Sequence, residues 1–393
     1  MLARSERVSG ERRSFPAASS FAVTADHPAL AQALVHELRE RGARAASASS
    51  LPPTVPCVIL TSGVAAGDPF EHHWQTLDLA RTFRDAGCQR LVLLQDTGGD
   101  FDVGPSGGWA GGITGLARTA ALEWPDMAVG LIDIDLHIGD MSRAASHIAD
   151  AVSDDRPEVG VNDDGSKTTL ELGPPLSPPT ASDHPSDSAG VWLVSGGARG
   201  VTAACVIELA RRVGGRYALL GRSTTKTWPD DLPRTDDADT LRAVLVEHAA
   251  AQEQPPKAAD IERRVRSLLA SLEVERTLSA IRAAGADVRY EMVDLSDQGR
   301  VQDCVARIQD RFGPITGLIH GAGVLADRLI VDMTREEFDR VFSAKVGGLK
   351  ILLDVLDLPL LRHVALFSSA SAYFGNGGQA NYAMANAFID GLA

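Results

Sequence analysis

Cysteine is scarce in this chain of 393 residues: four, Cys57, Cys88, Cys205 and Cys304, none of them in a CxxC pair. That scarcity argues against a disulfide scaffold and against a structural zinc site, and it fits a reducing, cytoplasmic setting. Basic residues are also in short supply. Thirty-eight Lys and Arg stand against 52 Asp and Glu, a net charge of −14, so neither nucleic acid nor an anionic membrane is an expected partner. No apolar run approaches the roughly 18–20 residues of a membrane span. The N-terminal MLARSERVSGERRSF carries charge without an apolar core and is no secretory signal. Apolar residues make up 44% of the chain, which rules out wholesale disorder, and the length suits two or three domains. Glycine is ordinary in number, so its placement carries the information.

The first 18 residues or so read as a flexible tail. From there strand and helix alternate: Ser20–Thr24, a helix over Pro28–Arg41 with Leu30, Leu34 and Leu38 on one stripe, Val58–Thr61, Phe70–Asp85, Arg90–Leu94, Gly111–Trp124 and Val129–Ile134. Such alternation implies βα units and a parallel sheet. Val159–Leu172 reads as a hairpin around Asp-Asp-Gly. Residues 174–188, PPLSPPTASDHPSDS, form an aperiodic Pro/Ser-rich linker. A second βα series then runs through Val191–Val194, Tyr217–Leu220, Val288–Val293, Gly317–His320 and Val364–Phe367, with a long helix over Arg335–Leu356. Between its second and third strands, residues 224–285 hold two helices, more than a crossover needs, and read as an inserted hairpin on the surface. The expected organisation is α/β throughout. A glycine-poor, non-binding subdomain (19–173) precedes a catalytic subdomain (189–393), each a Rossmann-like, doubly wound parallel sheet, and only the second binds a dinucleotide.

That asymmetry rests on the first turn of each half. In the first half it is TADHPA, without glycine; in the second it is Ser195-Gly196-Gly197-Ala198-Arg199-Gly200, between the strand VWLV and a helix opening at Val201. A pyrophosphate needs the backbone close, which a Cβ obstructs, and a helix N-terminus offers free N–H groups. The spacing is GGxxGxT, with Thr202 at the place of a last glycine. The next strand ends in Gly221-Arg222-Ser223, with no acid to hold the 2′-hydroxyl of NAD; Arg222, with Arg199, suits the 2′-phosphate of NADPH. Asp294 ends the third strand, where a carboxylate can accept from an adenine amino group. Gly321, Ala322 and Gly323 end the fourth, where small residues let a cofactor pass. The segment from Phe367 to Ala387 closes a strand on Ser-Ser, continues through a Gly-rich loop and opens a helix on which Tyr382 and Asn386 share one face.

The phrases VSGGARGVT, LLGRS, HGAGV, FSAKVGG and FSSASAYFGNGGQANYAMANAFIDGLA resemble the ketoreductase domains of type I polyketide synthases and polyunsaturated-fatty-acid-type synthases, within the short-chain dehydrogenase superfamily. The resemblance covers Gly190–Ala393 and extends more loosely to Phe21–Leu172, including GLARTAALEWP. It implies reduction of a β-ketoacyl thioester, tethered to the phosphopantetheine of an acyl carrier protein, by NADPH, with other synthase domains as partners. Ordinary short-chain dehydrogenases place a lysine four residues after the tyrosine. Here Asn386 stands there and Lys345 lies upstream, the exchange that marks this family. The resemblance makes Tyr382 the proton donor, Ser369 (thirteen residues earlier) a second group on the same oxygen, Lys345 the cation that favours the phenolate, and Asn386 the support of Lys345 or an ordered water. A free phenol, with pKa near ~10, is a weak acid for this task, and a close ammonium lowers it.

Leu325-Ala326-Asp327 keeps the third position of the family's LDD motif, and Phe374 stands where a tryptophan marks the opposite class; the resemblance therefore implies a D-configured (R-type) 3-hydroxyacyl product. The family continues beyond the tyrosine helix with closing strands and a lid. By that measure the chain is expected to lack its C-terminal strands, as a fragment of a longer synthase or as a truncation with impaired activity. Two other readings compete. One is a scaffolding ketoreductase-like domain that binds NADPH without turnover. The other is a free-standing dehydrogenase, disfavoured by the companion half and by the Tyr382, Asn386 and Lys345 set.

Overall fold

The protein is described by a computed structural model at residues 2–6, 14–48, 56–65, 67–101, 111–136, 139–154, 156–171, 173, 190–224, 228–250 and 256–392. The expected linker, 174–188, lies outside the described residues.

The first sheet is built from β1 (Leu2–Glu6), β2 (Ser20–Thr24), β3 (Arg44–Ala48), β4 (Cys57–Leu60), β5 (Arg90–Gln95), β6 (Ala128–Ile134), β7 (Glu158–Val161) and β8 (Lys167–Glu171). Between them run the helices α1 (Pro28–Glu40), α2 (Pro69–Asp85), α3 (Ile113–Glu123) and α4 (Met141–Val152). The strand order is β1-β8-β7-β6-β5-β4-β2-β3, parallel from β3 to β7 and antiparallel at β8 and β1. The stripe Leu30, Leu34 and Leu38 is fully buried and packs with Phe21, Val23 and the α4 residues Ala144 and Ile148. Prolines at the first turns of α1 and α2 preset the helical φ, and Asp68 caps α2. No expectation of β3 and α4 arises from the sequence, because their buried faces are mostly alanine.

The expected flexible tail is corrected at Leu2–Glu6. This segment pairs with β8 from Leu2↔Glu171 to Glu6↔Lys167. The edge of β8 offers a row of backbone donors and acceptors, a partner that the pentapeptide LARSE does not advertise in its own pattern.

The second sheet comprises β9 (Val191–Ser195), β10 (Arg216–Gly221), β11 (Asp287–Met292), β12 (Gly317–His320) and β13 (His363–Leu366), with α5 (Gly200–Val213), α6 (Ala238–Ala250), α7 (Ala258–Ala283) and α8 (Gln298–Phe312). All its strands are parallel, in the order β11-β10-β9-β12-β13. The order reverses between β9 and β12, which is where a doubly wound sheet opens its ligand crevice.

The insert differs from a simple surface hairpin. The C-terminal half of α7 places Val274 and Ile281 in the sheet's own core beside Val206, Leu219 and Val288, so it is the crossover helix itself. The N-terminal half packs Val265, Leu268 and Leu272 against Leu241 and Leu245 of α6, with Trp228 and Leu232, in a separate small core. One 26-residue helix thus serves as both crossover and insert.

The expected helix over Arg335–Leu356 is divided. It runs as α9 (Arg335–Phe342), a π turn at Ser343–Gly347 that carries Lys345, and α10 (Gly348–Val355). Two further helices close the described chain, α11 (Ala370–Phe374) and α12 (Ala380–Asp390). By contacts the residues fall into two compact units. Met1–Ser177, Val324–Val346 and Ser368–Ala393 make one; Pro178–Gly323 and Gly347–Phe367 make the other. No helix among the described residues is long and apolar enough to cross a membrane.

Candidate active site

In the first unit, Tyr382, Lys345 and Asn386 come together. Asn386 lies one turn after Tyr382 on α12, and its Nδ2 donates to the Tyr382 carbonyl at 2.7 Å. Its Oδ1 is buried without a hydrogen-bond partner, an acceptor awaiting a water or a cation. Lys345 is buried, with Nζ 5.6 Å from the centroid of the half-buried Tyr382 ring, within cation–π range. Burial pushes the Lys345 ammonium down to about 8, and the charge of Asp390 pulls the other way. The Asp390 carboxyl, part of whose residue meets solvent, is itself raised by desolvation, against a hydrogen bond from Ser368 and the charges of Lys345 and Arg118.

Ser369 caps α11, and its hydrogen bonds go to Ser371. Its Oγ accepts from the Ser371 N–H at 3.2 Å and from the Ser371 hydroxyl at 2.9 Å. Those two donors use the acceptor side of Ser369, leaving its own O–H to be donated.

Sequence reasoning missed the residues that hold this cluster. Asn381, fully buried, donates to the carbonyls of Ala326 (3.1 Å) and Glu337 (3.3 Å) and accepts from the Tyr382 N–H at 2.7 Å. Asp327 accepts from Gln379 at 3.0 Å, while Phe374 is exposed. Three polar side chains of GLARTAALEWP, all on α3, reach the same stretch. Arg118 donates to the Ala372 carbonyl (2.8 Å), Thr119 accepts from the Asn376 N–H (3.3 Å), and Glu123 accepts from Gly378 N–H (2.8 Å) and Ile330 N–H (2.7 Å). Gly115 lets α3 touch α12: a Cβ there would lie 2.5 Å from the Ala383 carbonyl carbon. On the other side the buried His73 of α2 lies against Phe342 and Phe388, each 5.4 Å between centroids.

The second unit holds the glycine loop. Gly196 has φ +68°, and a Cβ on it would meet the Gly321 carbonyl oxygen at 2.7 Å and the Ala322 nitrogen at 2.8 Å. The ends of β9 and β12 therefore touch through glycine at the switch point. A Cβ on Gly321 would fall 2.3 Å from Thr202 Oγ1, so Gly321 makes room for the threonine that replaces a loop glycine. Gly197 sits over Val194, and Gly200, φ +63°, faces open space. Val201 and Gly323 are exposed. Arg222 is exposed beside Ser223, whose carbonyl accepts from the Tyr290 hydroxyl at 2.8 Å. Asp294 accepts from Ser296 N–H (3.0 Å) and Ser296 Oγ (2.9 Å). Those bonds, and more weakly Arg222 and Arg300, hold it below the usual carboxylate range.

A dinucleotide suits this loop on its own chemistry: glycines where the backbone must come close, backbone N–H groups opening α5, and Arg199 and Arg222 for a 2′-phosphate. Among the described residues no cluster of His, Cys, Asp or Glu could hold a metal.

The KR domain family matches residues 190–393. A polyunsaturated fatty acid synthase polypeptide of Thraustochytrium sp. is 35% identical over 295 residues, 70% of this chain and 10% of that protein. A phenolphthiocerol/phthiocerol polyketide synthase polypeptide of Mycobacterium tuberculosis is 27% identical over 322 residues, 80% of this chain and 15% of that protein. The chain thus spans about a tenth to a seventh of the curated relatives it matches. Among solved structures, A-type ketoreductases from a modular polyketide synthase share the fold with TM-score 0.73 at 22% identity, covering 100% of this chain and 78% of that one. A ketoreductase domain from the bacillaene assembly line does so at 0.64 and 22%, with the same coverage.

Proposed function

Because the chain belongs to the KR domains, the ketoreductase domains of type I polyketide synthases, we propose that it reduces a β-ketoacyl thioester, presented by an acyl carrier protein, to the 3-hydroxyacyl thioester with NADPH. The observation that carries this reading is the buried Lys345 ammonium beside the Tyr382 ring. A lysine buried at such electrostatic cost, next to a half-exposed phenol, places a cation where a phenolate would draw on it.

In this reading the Tyr382 hydroxyl and the Ser369 hydroxyl both donate to the β-keto oxygen. Arg199, Gly200 N–H, Arg222 and Ser223 would hold the phosphates of NADPH, which when bound would supply a hydride to the carbonyl carbon. As charge grows on the oxygen, Tyr382 gives up its proton and Lys345 stabilises the phenolate left behind. Asn386 Oδ1 holds the Lys345 ammonium or a water that returns the proton. One ketone, one hydride and one proton give one alcohol.

Purified protein, NADPH and a β-ketoacyl thioester should give equimolar NADP and 3-hydroxyacyl thioester, measured by absorbance and by mass. Binding of NADPH without any reduction would sink the reading and leave a scaffold.

A second measurement tests the α3 platform. Gly115→Ala must push α12 away, because the new Cβ meets backbone rather than a flexible side chain. A displacement of about 1 Å at the reacting group can cost about 100-fold, and overpacking costs about 1–3 kcal/mol. Reduction should fall by about ten- to 100-fold with NADPH affinity unchanged; an unchanged rate would show that α3 does not position Tyr382.

A further inference from the structure

The glycine loop already has an anion on it. Glu273, near the middle of α7, accepts from the Gly200 N–H at 2.8 Å with one carboxylate oxygen and from Arg199 Nε at 2.8 Å with the other. Gly200 is the first residue of α5, and Arg199, at the N-cap, makes no side-chain cap of its own. Glu273 therefore supplies the cap from another helix, at the end where the helix dipole favours negative charge. Burial works against its charge, yet Arg199 and the Gly200 N–H hold the carboxyl below the usual range, so it is a carboxylate at neutral pH.

The backbone beneath is anchored while the side chain is not. One turn on, Thr277 Oγ1 donates to the Ala198 carbonyl at 2.9 Å and is buried, and Val274 sits in the sheet's core. The Glu273 side chain itself is 43% exposed and Arg199 51% exposed, free to part if a better partner arrives. Arg199 also acts electrostatically on Tyr290, the residue that pins the Arg222-Ser223 turn.

We infer that Glu273 is a built-in competitor for the cofactor: its carboxylate occupies the Gly200 N–H and the Arg199 Nε that a phosphate of NADPH would take, so binding requires α7 to yield this side chain. This rests on the cofactor reading above. An ordinary surface ion pair could lie anywhere along α7; this one lies on two donors of the phosphate loop at once. The crossover helix thereby sets cofactor affinity from outside the sheet, and displacing Glu273 restores both Arg199 and the end of α5 to the ligand.

Equilibrium titration tests this by the fluorescence of NADPH and NADH and by calorimetry with adenosine 2′,5′-bisphosphate. Releasing an exposed ion pair is worth about 1 kcal/mol or less, so Glu273→Gln should tighten NADPH and the bisphosphate by about fivefold. NADH, which lacks the 2′-phosphate, should gain less. Glu273→Ala should behave alike, and in an Arg199→Ala background the extra gain for NADPH over NADH should vanish. Unchanged affinity in Glu273→Gln, with the parent binding NADPH normally, overturns the inference alone. Weaker binding also overturns it, since the carboxylate would then be orienting Arg199 for the cofactor. If neither parent nor variant binds NADPH, the cofactor reading falls, and this inference with it.

Discussion

Tyr382→Phe should lower β-ketoacyl reduction by about 10³-fold, within the range a positioned general acid supplies, while NADPH affinity stays within about twofold. The hydroxyl is the only atom removed, and the contacts that hold residue 382 do not use it. The Tyr382 N–H donates to Asn381, its carbonyl accepts from Asn386, and the ring stays against Lys345. Neighbouring Ala383, Met384 and Ala385 are buried whatever residue 382 carries. The variant should therefore melt as the parent does, which separates a chemical role from a structural one. Single-turnover rates and NADPH titration measure both halves. A variant retaining more than about a tenth of the parent rate would remove Tyr382 from the chemistry.

Lys345→Met should do two opposite things. Reduction should fall by about 100-fold or more, because no cation is left to stabilise the phenolate. Folding stability at pH 7 should rise, by up to about 3 kcal/mol, since a lysine held at about 8 in place of its ordinary value of 10.5 marks an ammonium that would rather be in water. The sign follows from proton counting. The folded-state pKa is depressed, so between about pH 8 and 10.5 the unfolded chain binds the proton that the folded chain has released, and the parent gains stability as pH rises. The stability advantage of the variant should accordingly shrink across that window, as denaturant titrations at pH 7 and pH 10 would show. The parent's reduction rate should fall as pH rises past about 8, when the ammonium is lost. A variant no more stable than the parent at pH 7 would mean that the cost of burying Lys345 is met by its surroundings.

Local chemistry is the legible part of this chain. The turn SGGARG, the Arg222-Ser223 end of β10 and the i,i+4 spacing of Tyr382 and Asn386 all announce themselves, because glycine, a helix start and a helix face are properties of neighbouring residues. The buried stripe of α1 is equally plain. What stays hidden depends on distant partners. Glu273 lies 73 residues from the Gly200 it caps, in a helix whose own pattern gives no reason to single it out. The π turn that carries Lys345 interrupts a stretch that reads as continuous helix, with only the pair Gly347-Gly348 at its end to mark it. Thr202 reads as a defect in the loop until Gly321 is found to leave space for it. GLARTAALEWP can be recognised as a phrase, but nothing in its periodicity shows that Arg118, Thr119 and Glu123 bind the loop before Tyr382.

The contact of Gly115 with Ala383 also bears on how this protein can be divided. The family match begins at residue 190, and a gene fragment cut there would look complete by sequence. Its product would lack α3, α2 and their sheet, leaving the surface of α12 around Ala383, and the rings of Phe338, Phe342 and Phe388, without the helices that cover them. An apolar surface of that kind invites aggregation. The stretch that is recognised and the stretch that folds therefore have different beginnings, and expression trials of the tyrosine helix should start upstream of Ser20.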